Sequence, residues 1–270
     1  MNVHFISLGA GVQSSTMALM ASKGEIKPMP IAAIFADTKN EPESVYRWLD
    51  YLTPLLAFPV IRVSKGDLYK DSITLRKRIS GPGQWCKSNV PAFVKNKDGS
   101  KGILPRQCTR EYKIRPIRRM ALSLMRKMGS ESITQWIGIS LDEVSRMKPS
   151  GHGLITNRWP LIELRKTRHD CLRWMKENGF PNPPRSACTF CPYHSDQEWR
   201  RLREEDPLDF LNAVAFDKDY RHAKTLTDKT HGQPFLHDSL VPLDEVDFST
   251  DADRGQQEMF NNECEGMCGV

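Results

Sequence analysis

Short apolar runs alternate along the chain with longer stretches in which apolar residues recur at helical spacing. The apolar runs cover 3–8, 31–36, 58–63 and 133–139. Runs of this length are typical of buried strands, and strands separated by helices indicate a parallel sheet covered on both faces. The sequence therefore predicts an α/β fold built on a doubly wound parallel sheet.

Three of the stretches between these runs predict helices of that layer. The first opens at Ser14, and the second spans 41–56 with acidic residues at its start, where the helix dipole favours them. The third spans 113–128 and is amphipathic, because its arginines fall away from its apolar positions. Residues 194–227 are also expected to be helical, which makes the C-terminal part helical and cysteine-containing.

Composition along the chain suggests two regions. Residues 1–165 are expected to form the α/β domain, with an insertion or lid at about 64–107, where no clear strand occurs. Residues 166–270 are expected to form the helical region, which turns irregular from about Gly232 and ends in a flexible arm.

Overall composition narrows the class of protein. The chain has 270 residues, 39% of them hydrophobic, and its net charge of +6 is compatible with a nucleic acid or an anionic nucleotide as partner. No apolar run is long enough to span a membrane, and the N-terminus lacks the pattern of a signal peptide. Seven cysteines, an odd number, argue against a disulfide framework and favour a reducing, cytoplasmic location.

Three cysteines stand in polar, basic contexts that are unusual for core packing. Cys108 lies between arginines at 106 and 110, and Cys188-x-x-Cys191 follows Arg185. A CxxC places two thiolates on one tight turn, where both can ligate one metal centre, and nearby arginines favour the thiolate. The pattern predicts chemistry of sulfur, iron or both, with a structural zinc site or a buried thiol pair as the alternative.

The ends of the first two predicted strands carry candidate binding residues. After the first strand come glycines and hydroxyl side chains, which together with a helix N-terminus can hold an anion. After the second come Asp37 and Thr38, where a carboxylate could hold ribose hydroxyls or Mg²⁺. The first could equally be an ordinary strand–helix junction, and the second a helix cap.

The first 200 residues contain six short motifs, and their order along the chain is informative. They lie at 7–15, 37–43, 113–116 after Cys108, 138–146, 159–163 and 179–191. In this order they resemble the PP-loop superfamily, and within it the family of phosphoadenosine-phosphosulfate (PAPS) reductase-like proteins. The resemblance implies a fold like that of the adenine nucleotide alpha hydrolases, an adenine nucleotide (ATP, or APS or PAPS) and a 4Fe–4S cluster.

The resemblance also implies roles for individual residues. The nucleotide-binding set is Ser7, Gly9, Gly11, Gln13, Ser14, Ser15, Asp37, Thr38 and Lys113. The cluster ligands are Cys108, Cys188, Cys191 and Cys268, and the catalytic set is Cys264, Asp142, Glu143 and Arg146.

The sequence departs from the family pattern at three places. One cysteine, Cys108, stands where iron–sulfur members carry a pair, so a cluster iron is left open or is ligated by another residue, with Cys86, Cys264 and Cys268 as the candidates. Gln13 replaces the aspartate of ATP-cleaving members, which removes one expected Mg²⁺ ligand. The Glu263-Cys264 tail resembles the nucleophilic segment of sulfonucleotide reductases but lacks its histidine.

Two enzymatic hypotheses follow, with a third from another class. The favoured one is ATP-dependent sulfur transfer, a thiolation, to a nucleic acid, and the alternative is reduction of APS or PAPS to sulfite by attack of Cys264. The third is a zinc-stabilised module that binds a nucleotide or nucleic acid without turnover. The enzymes would need a sulfide donor or an electron donor such as thioredoxin, and a homodimer is compatible with either.

Overall fold

The computed structural model describes residues 3–77, 83–96, 98–227 and 232–249. Its helices are α1 Val12–Ser22, α2 Glu43–Leu52, α3 Leu68–Ile73, α4 Arg115–Lys127, α5 Pro160–Glu163, α6 Arg168–Glu177, α7 Asp196–Glu205 and α8 Pro207–Thr225. Its strands are β1 Val3–Leu8, β2 Ala32–Ala36, β3 Val60–Val63, β4 Leu75–Lys77, β5 Gln84–Cys86, β6 Phe93–Asn96, β7 Lys101–Ile103, β8 Ile133–Ile137, β9 Ile155–Arg158 and β10 Gly232–Phe235.

The central sheet has five parallel strands in the order β3-β2-β1-β8-β9. The chain winds outward from β1 in one direction to β3, and then places β8 and β9 on the other side of β1. The strand order therefore reverses between β1 and β8, the place where open α/β sheets bind ligands beyond the carboxyl ends of the strands. The predicted α/β class with a doubly wound parallel sheet is confirmed, and β9 adds a strand that the apolar pattern did not predict.

Helices cover both faces of this sheet. Helix α1 is buried on nearly every side, because it lies between the sheet and α6. Its polar groups find partners there: the Thr16 hydroxyl donates to the Val12 carbonyl at 2.9 Å, and the Ser15 hydroxyl accepts from Trp48 Nε1 at 2.9 Å. On the opposite face, α4 packs with Ile117, Ala121 and Met125, one helical turn apart.

The segment between β3 and α4 contains more regular structure than predicted. It holds α3 and the short strands β4 to β7, so the prediction of a stretch without strands is wrong. Asp71 ties it to the main body, because its carboxylate accepts from the Tyr112 hydroxyl at 2.5 Å and pairs with Lys87 at 2.8 Å. These contacts satisfy the carboxylate internally, so the segment is packed against the start of α4.

The C-terminal region builds a second core. Aromatic side chains of α7, α8 and residues 235–248 pack with α3 and Tyr112. Strand β10 pairs antiparallel with β6, which corrects the prediction that the chain turns irregular from Gly232. The buried carboxylate of Asp217 accepts from the backbone amides of Leu236 and Leu243 at 3.0 and 3.2 Å, which fixes this returning segment on α8. None of the helices in the described part of the chain has the length and apolarity to cross a membrane.

Candidate functional site

A cleft opens where β1 and β8 end, and we call it the sheet-edge cleft. It encloses about 990 Å³ of empty space, part of it open to solvent. Its floor is apolar, formed by side chains of β2, β8 and the start of α4, and its rim is polar. The lining residues are Ser7, Leu8, Gly9, Gly11, Gln13, Ser14, Phe35, Ala36, Lys113, Ile114, Ile117, Gln135, Ile137, Gly138, Ile139, Glu143, Arg146, Arg185 and Ser186.

The turn from β1 into α1 exposes backbone atoms to this cleft, because two of its residues, Gly9 and Gly11, have no side chain to cover them. Gly11 is the N-cap of α1, so the backbone amides of the first helical turn lie at the rim. The Ser14 hydroxyl accepts from the amide of Gly9 at 3.2 Å and so closes the turn. A Cβ at Gly138 would lie 2.8 Å from the Ser14 backbone nitrogen, so only glycine lets the end of β8 approach α1 this closely.

Cationic side chains converge on the same cleft from three distant parts of the chain. They are Lys113 at the start of α4, Arg146 after β8, and Arg185 before the CxxC turn. Glu143 is the carboxylate of the lining, and it pairs with Arg146. The lining therefore carries more positive than negative charge, which suits an anionic ligand.

Gln13 takes part in the anchoring of Glu143. Its amide Nε2 donates to Glu143 Oε2 at 3.3 Å and to the Ser140 hydroxyl at 3.4 Å. An aspartate at this position would place a second carboxylate beside Glu143, whereas the amide ties the 141–146 turn to α1 without adding charge. Gln13 thus acts as a link between two loops of the cleft.

The three cysteines singled out by the sequence line one small cavity next to this cleft, and we call it the cysteine cavity. Cys188 and Cys191 are buried on their turn, and Cys108 is half-buried just before a π-helical turn, Thr109–Ile114, that leads into α4. Single π-helical turns are frequent at functional sites. The cavity lining is Thr38, Leu68, Val90, Pro91, Arg106, Cys108, Thr109, Lys113, Cys188, Phe190, Cys191 and Pro192.

Glu41 lies fully buried beside these thiols. Its Oε1 accepts from the Thr38 hydroxyl at 2.9 Å and lies 3.6 Å from Cys188 Sγ and 3.2 Å from Lys113 Nζ. Its second oxygen, Oε2, is buried and has no hydrogen-bond partner among the described residues. Because Lys113 lines both the sheet-edge cleft and the cysteine cavity, this ion pair stands between the two sites.

His194 supports the CxxC turn from behind. It is buried, its Nε2 lies 3.0 Å from the Cys188 carbonyl, and its ring meets Trp199 edge-on. Burial, reinforced by the charge of Arg185, lowers the pKa of His194 to about 3. The imidazole is therefore neutral at physiological pH and stabilises the turn through its hydrogen bond to the Cys188 carbonyl.

Four predicted residues lie outside the lining of the sheet-edge cleft. The buried Ser15 hydroxyl accepts a hydrogen bond from Trp48 Nε1, and Thr38 lines the cysteine cavity instead. The Asp37 carboxylate accepts from the Tyr46 hydroxyl at 2.9 Å and pairs with Lys39. Burial raises the pKa of Asp37, but the hydrogen bonds from Lys39 and Tyr46 outweigh burial and lower that pKa below its usual range. Asp142 is exposed and accepts from the amide of Arg168 at 3.1 Å.

The other predicted residues, apart from the three cavity cysteines, fall into three groups. Ser7, Gly9, Gly11, Gln13, Ser14, Lys113, Glu143 and Arg146 line the sheet-edge cleft. Cys264 and Cys268 lie outside the described residues. Cys86, a candidate for the fourth cluster ligand, is buried on β5 and is not in the lining of the cysteine cavity.

Sequence reasoning did not assign Arg185 and Ser186 to the first cleft. The sequence presents Arg185 only as a neighbour that favours the cysteine thiolates, yet it lines the sheet-edge cleft and donates to the Tyr193 carbonyl at 2.9 Å. The Ser186 hydroxyl donates to the Gly9 carbonyl, which joins the CxxC segment to the first turn. No local signal in the sequence identifies either contact, because the partners are far apart along the chain.

The chemistry of the donor set suits an iron–sulfur cluster. The cavity offers three cysteines on its walls and no carboxylate or histidine in its lining. Within the described ranges, no three His, Cys, Asp or Glu side chains are grouped closely enough to hold a single metal ion. Cys108, Cys188 and Cys191 line one cavity and stay the candidate sulfur ligands that the sequence predicts.

Comparison with known proteins gives matches among solved structures alone. No model of a known protein family matches the chain, and no curated protein does. One structural match is a phosphoadenylyl-sulfate (PAPS) reductase from Candida auris, with a TM-score of 0.39, 12% identity, and coverage of 68% of this chain and 76% of that one. Another is the U34-tRNA thiolase NcsA from Methanococcus maripaludis with its [4Fe-4S] cluster, with a TM-score of 0.35, 11% identity, and coverage of 82% and 72%. At these values the likeness concerns the path of the backbone.

Proposed function

We propose that this chain is an enzyme that binds an adenine nucleotide in the sheet-edge cleft and transfers sulfur to a nucleic acid in an ATP-dependent reaction. The observation that carries the proposal is the junction of the two sites. Lys113 lines both the cleft, which suits an anion, and the cavity, which holds three cysteines. A nucleotide phosphate and a sulfur centre can therefore act on one acceptor atom placed between them.

The sheet-edge cleft would bind the nucleotide through general features of its shape and charge. Its apolar floor, with Phe35 and Ile117, suits an adenine ring. The amides at the start of α1 and the cations Lys113, Arg146 and Arg185 suit the phosphates. These groups would also stabilise charge that develops on the phosphate during transfer.

The cysteine cavity would supply the sulfur side of the reaction. Cys108, Cys188 and Cys191 would hold a 4Fe–4S cluster, which when bound offers an iron with an open position for a sulfide. The buried Glu41–Lys113 pair would keep Lys113 directed toward the junction. This role needs the fourth iron to be without a cysteine ligand; Cys268, the sequence-based candidate for that position, lies outside the described residues.

The reaction would proceed in two balanced steps. The acceptor oxygen attacks the α-phosphorus of ATP, an O–P bond forms, and pyrophosphate leaves with the electron pair of the broken P–O bond. A sulfide from a donor then attacks the activated carbon, a C–S bond forms, and AMP leaves with the C–O electron pair. Neither step changes the oxidation state of sulfur when the donor delivers sulfide, so no external reductant is needed.

Gln13 favours a second candidate, the reduction of APS or PAPS. The lining of the sheet-edge cleft contains one carboxylate, Glu143, which is already engaged by Arg146 and Gln13, so it offers few ligands for Mg²⁺. A thiolate, with Cys264 as the sequence-based candidate, would attack the sulfur and expel AMP or its 3′-phosphorylated form. A thiol donor such as thioredoxin would then supply the two electrons that release sulfite.

One experiment separates these reactions. Anaerobically purified protein is incubated separately with ATP plus a mixed RNA or DNA acceptor, with APS and with PAPS, and pyrophosphate and sulfite are measured. Sulfur transfer predicts pyrophosphate from ATP, and reduction predicts sulfite from a sulfonucleotide. Arg185→Met should reduce either product, whereas Lys39→Met, which removes the same charge outside the cleft, should not. Absence of both products from metal-replete protein would contradict the proposed enzyme class.

A further inference from the structure

A third opening adjoins both sites, and we call it the arginine cleft. It lies between the turn that begins α4 and the loop after residues 141–146, and it encloses about 800 Å³ of empty space, much of it open to solvent. Its lining is Arg106, Thr109, Arg110, Ile114, Ser145, Arg146 and Lys148. Four of these seven side chains are cationic and none is acidic, which makes the cleft strongly positive.

The arginine cleft connects the other two sites. It shares Ile114 and Arg146 with the sheet-edge cleft, and Arg106 and Thr109 with the cysteine cavity. A linear polymer bound along the arginine cleft would pass both the nucleotide and the cysteine thiols. Thr109 and Ile114 lie on the same turn as Lys113, so the arginine cleft leads toward the junction.

The walls of the arginine cleft are held by other parts of the fold. Asn157 on β9 donates to the Lys148 carbonyl at 2.8 Å, and Arg118 on α4 donates to the Ser150 carbonyl at 2.8 Å. The cleft is thus shaped before any ligand arrives, which reduces the entropic cost of binding.

Two of the cations in the arginine cleft, Arg110 and Arg106, are placed to contact a ligand, whereas Arg146 is already paired with Glu143. The Arg110 side chain is 69% exposed, and its pair with Glu111 at 3.2 Å is of the surface kind that contributes little free energy. The Arg106 guanidinium lies over the Tyr193 ring at 5.2 Å, a stacked arrangement beside which a base could also stack. Thr109 adds a hydroxyl that is buried without a hydrogen-bond partner among the described residues.

We propose that the arginine cleft binds the phosphodiester backbone of a single-stranded nucleic acid and delivers the acceptor nucleotide to Lys113. Guanidinium groups match phosphate geometry, and an acceptor nucleotide must leave a duplex to enter a cleft of this kind. The inference rests on the proposed function in taking a nucleic acid as the acceptor. It adds the binding surface, the strand state and the residues Arg110 and Lys148.

The test measures binding without turnover. Full-length protein is titrated into fluorescently labelled single-stranded RNA and DNA of about 12 nucleotides, and anisotropy gives the affinity between about 50 and 200 mM salt. The Arg110→Gln/Lys148→Gln double variant should bind on the order of tenfold more weakly at the low-salt end. Its slope of log K against log salt should be smaller by about 1.4, because each lost single-strand phosphate contact removes about 0.7.

A matched variant controls for net charge. Lys127→Gln/Lys218→Gln removes the same two charges from exposed positions on α4 and α8 outside the arginine cleft. It should keep the wild-type slope, and both double variants should keep the wild-type melting temperature and affinity for ATP. An unlabelled duplex should compete less well than the single strand.

Several results would overturn the inference. One is that the protein binds no oligonucleotide at low salt, and another is that both double variants lose the same oligonucleotide affinity. A third is preference for the duplex. A fourth is that Arg110→Gln/Lys148→Gln weakens binding only of APS and PAPS, or only of an acidic protein donor. The proposed function can fail separately. Oligonucleotide binding with the expected variant pattern but no pyrophosphate release would leave the binding surface in place and remove the ATP-dependent transfer.

Discussion

Lys113 and Glu41 form a buried ion pair at the junction of the sheet-edge cleft and the cysteine cavity. Lys113 Nζ lies 3.2 Å from Glu41 Oε1, and the two side chains are 12% and 0% exposed. A pair this deep costs desolvation free energy on both sides, so its position beside Cys188 indicates a role in the site more than in stability.

A double-mutant cycle on this pair measures its coupling. Lys113→Met should lower the free energy of unfolding by about 3–5 kcal/mol, because it leaves the Glu41 carboxylate buried without its cation. Glu41→Gln should cost less, since the amide fits the same space and can still bond to Thr38. The double variant should be more stable than Lys113→Met alone, as measured by urea unfolding. Additive effects would show that the two groups are not coupled.

Substitution of the cavity cysteines tests the cluster assignment. Anaerobically purified protein should contain about four irons per chain. We expect loss of iron and acid-labile sulfide in each of three variants, because each replaces a thiol that lines the same cavity. The variants are Cys108→Ser, Cys188→Ser and Cys191→Ser.

Cys171→Ser is the matched control for these three. Cys171 is buried in the core beside α1, and burial, together with Asp142 and Asp170, raises the pKa of its thiol to about 12. It should keep full iron content. Full iron in all three cavity variants, or zinc alone in the wild type, would contradict the assignment.

Gly138 tests whether the close approach of β8 to α1 shapes the sheet-edge cleft. A methyl group at this position would meet the Ser14 backbone at 2.8 Å, so Gly138→Ala must push α1 away from the end of β8. ATP affinity by calorimetry should fall at least tenfold, together with a lower melting temperature. Gly153→Ala, where a Cβ would meet nothing within 4 Å, should change neither.

Gly11 gives a milder version of the same test. A Cβ at Gly11 would meet Ser186 Cβ at 3.2 Å, a contact that a small shift can relieve. Gly11→Val should therefore weaken nucleotide binding more than it lowers the melting temperature. Unchanged affinity would mean that this turn is a strand–helix junction without a ligand.

His194 makes stability depend on pH. Its folded pKa is about 3, against 6.5 for an ordinary histidine, so between these values the unfolded chain binds a proton that the folded protein does not. The free energy of unfolding should therefore fall as pH drops below 6.5, by about 2 kcal/mol from this group between pH 7 and pH 5. Urea unfolding of metal-free protein at several pH values measures this dependence. His194→Gln should flatten it, whereas His222→Gln, at an exposed position, should leave it as it is.

The sequence determined the elements whose signal is local. The apolar runs of β1, β2 and β8, the amphipathic α4 and the polar contexts of Cys108 and the CxxC turn are set by neighbours a few residues apart. From these the α/β class could be derived, because parallel strands separated by helices form one sheet. The eight predicted residues of the sheet-edge cleft were named by the resemblance of the ordered motifs to the PP-loop superfamily.

Tertiary structure decided what depends on contacts between distant segments. The pairing of β10 with β6 joins residues 232–235 to 93–96, and Gly232 and Pro234 give that strand no local signal. The placement of Arg185 in the sheet-edge cleft and the Glu41–Lys113 pair have the same origin. Each joins side chains from segments that are distant along the chain and that only the tertiary packing brings together, so local sequence patterns carry no information about it.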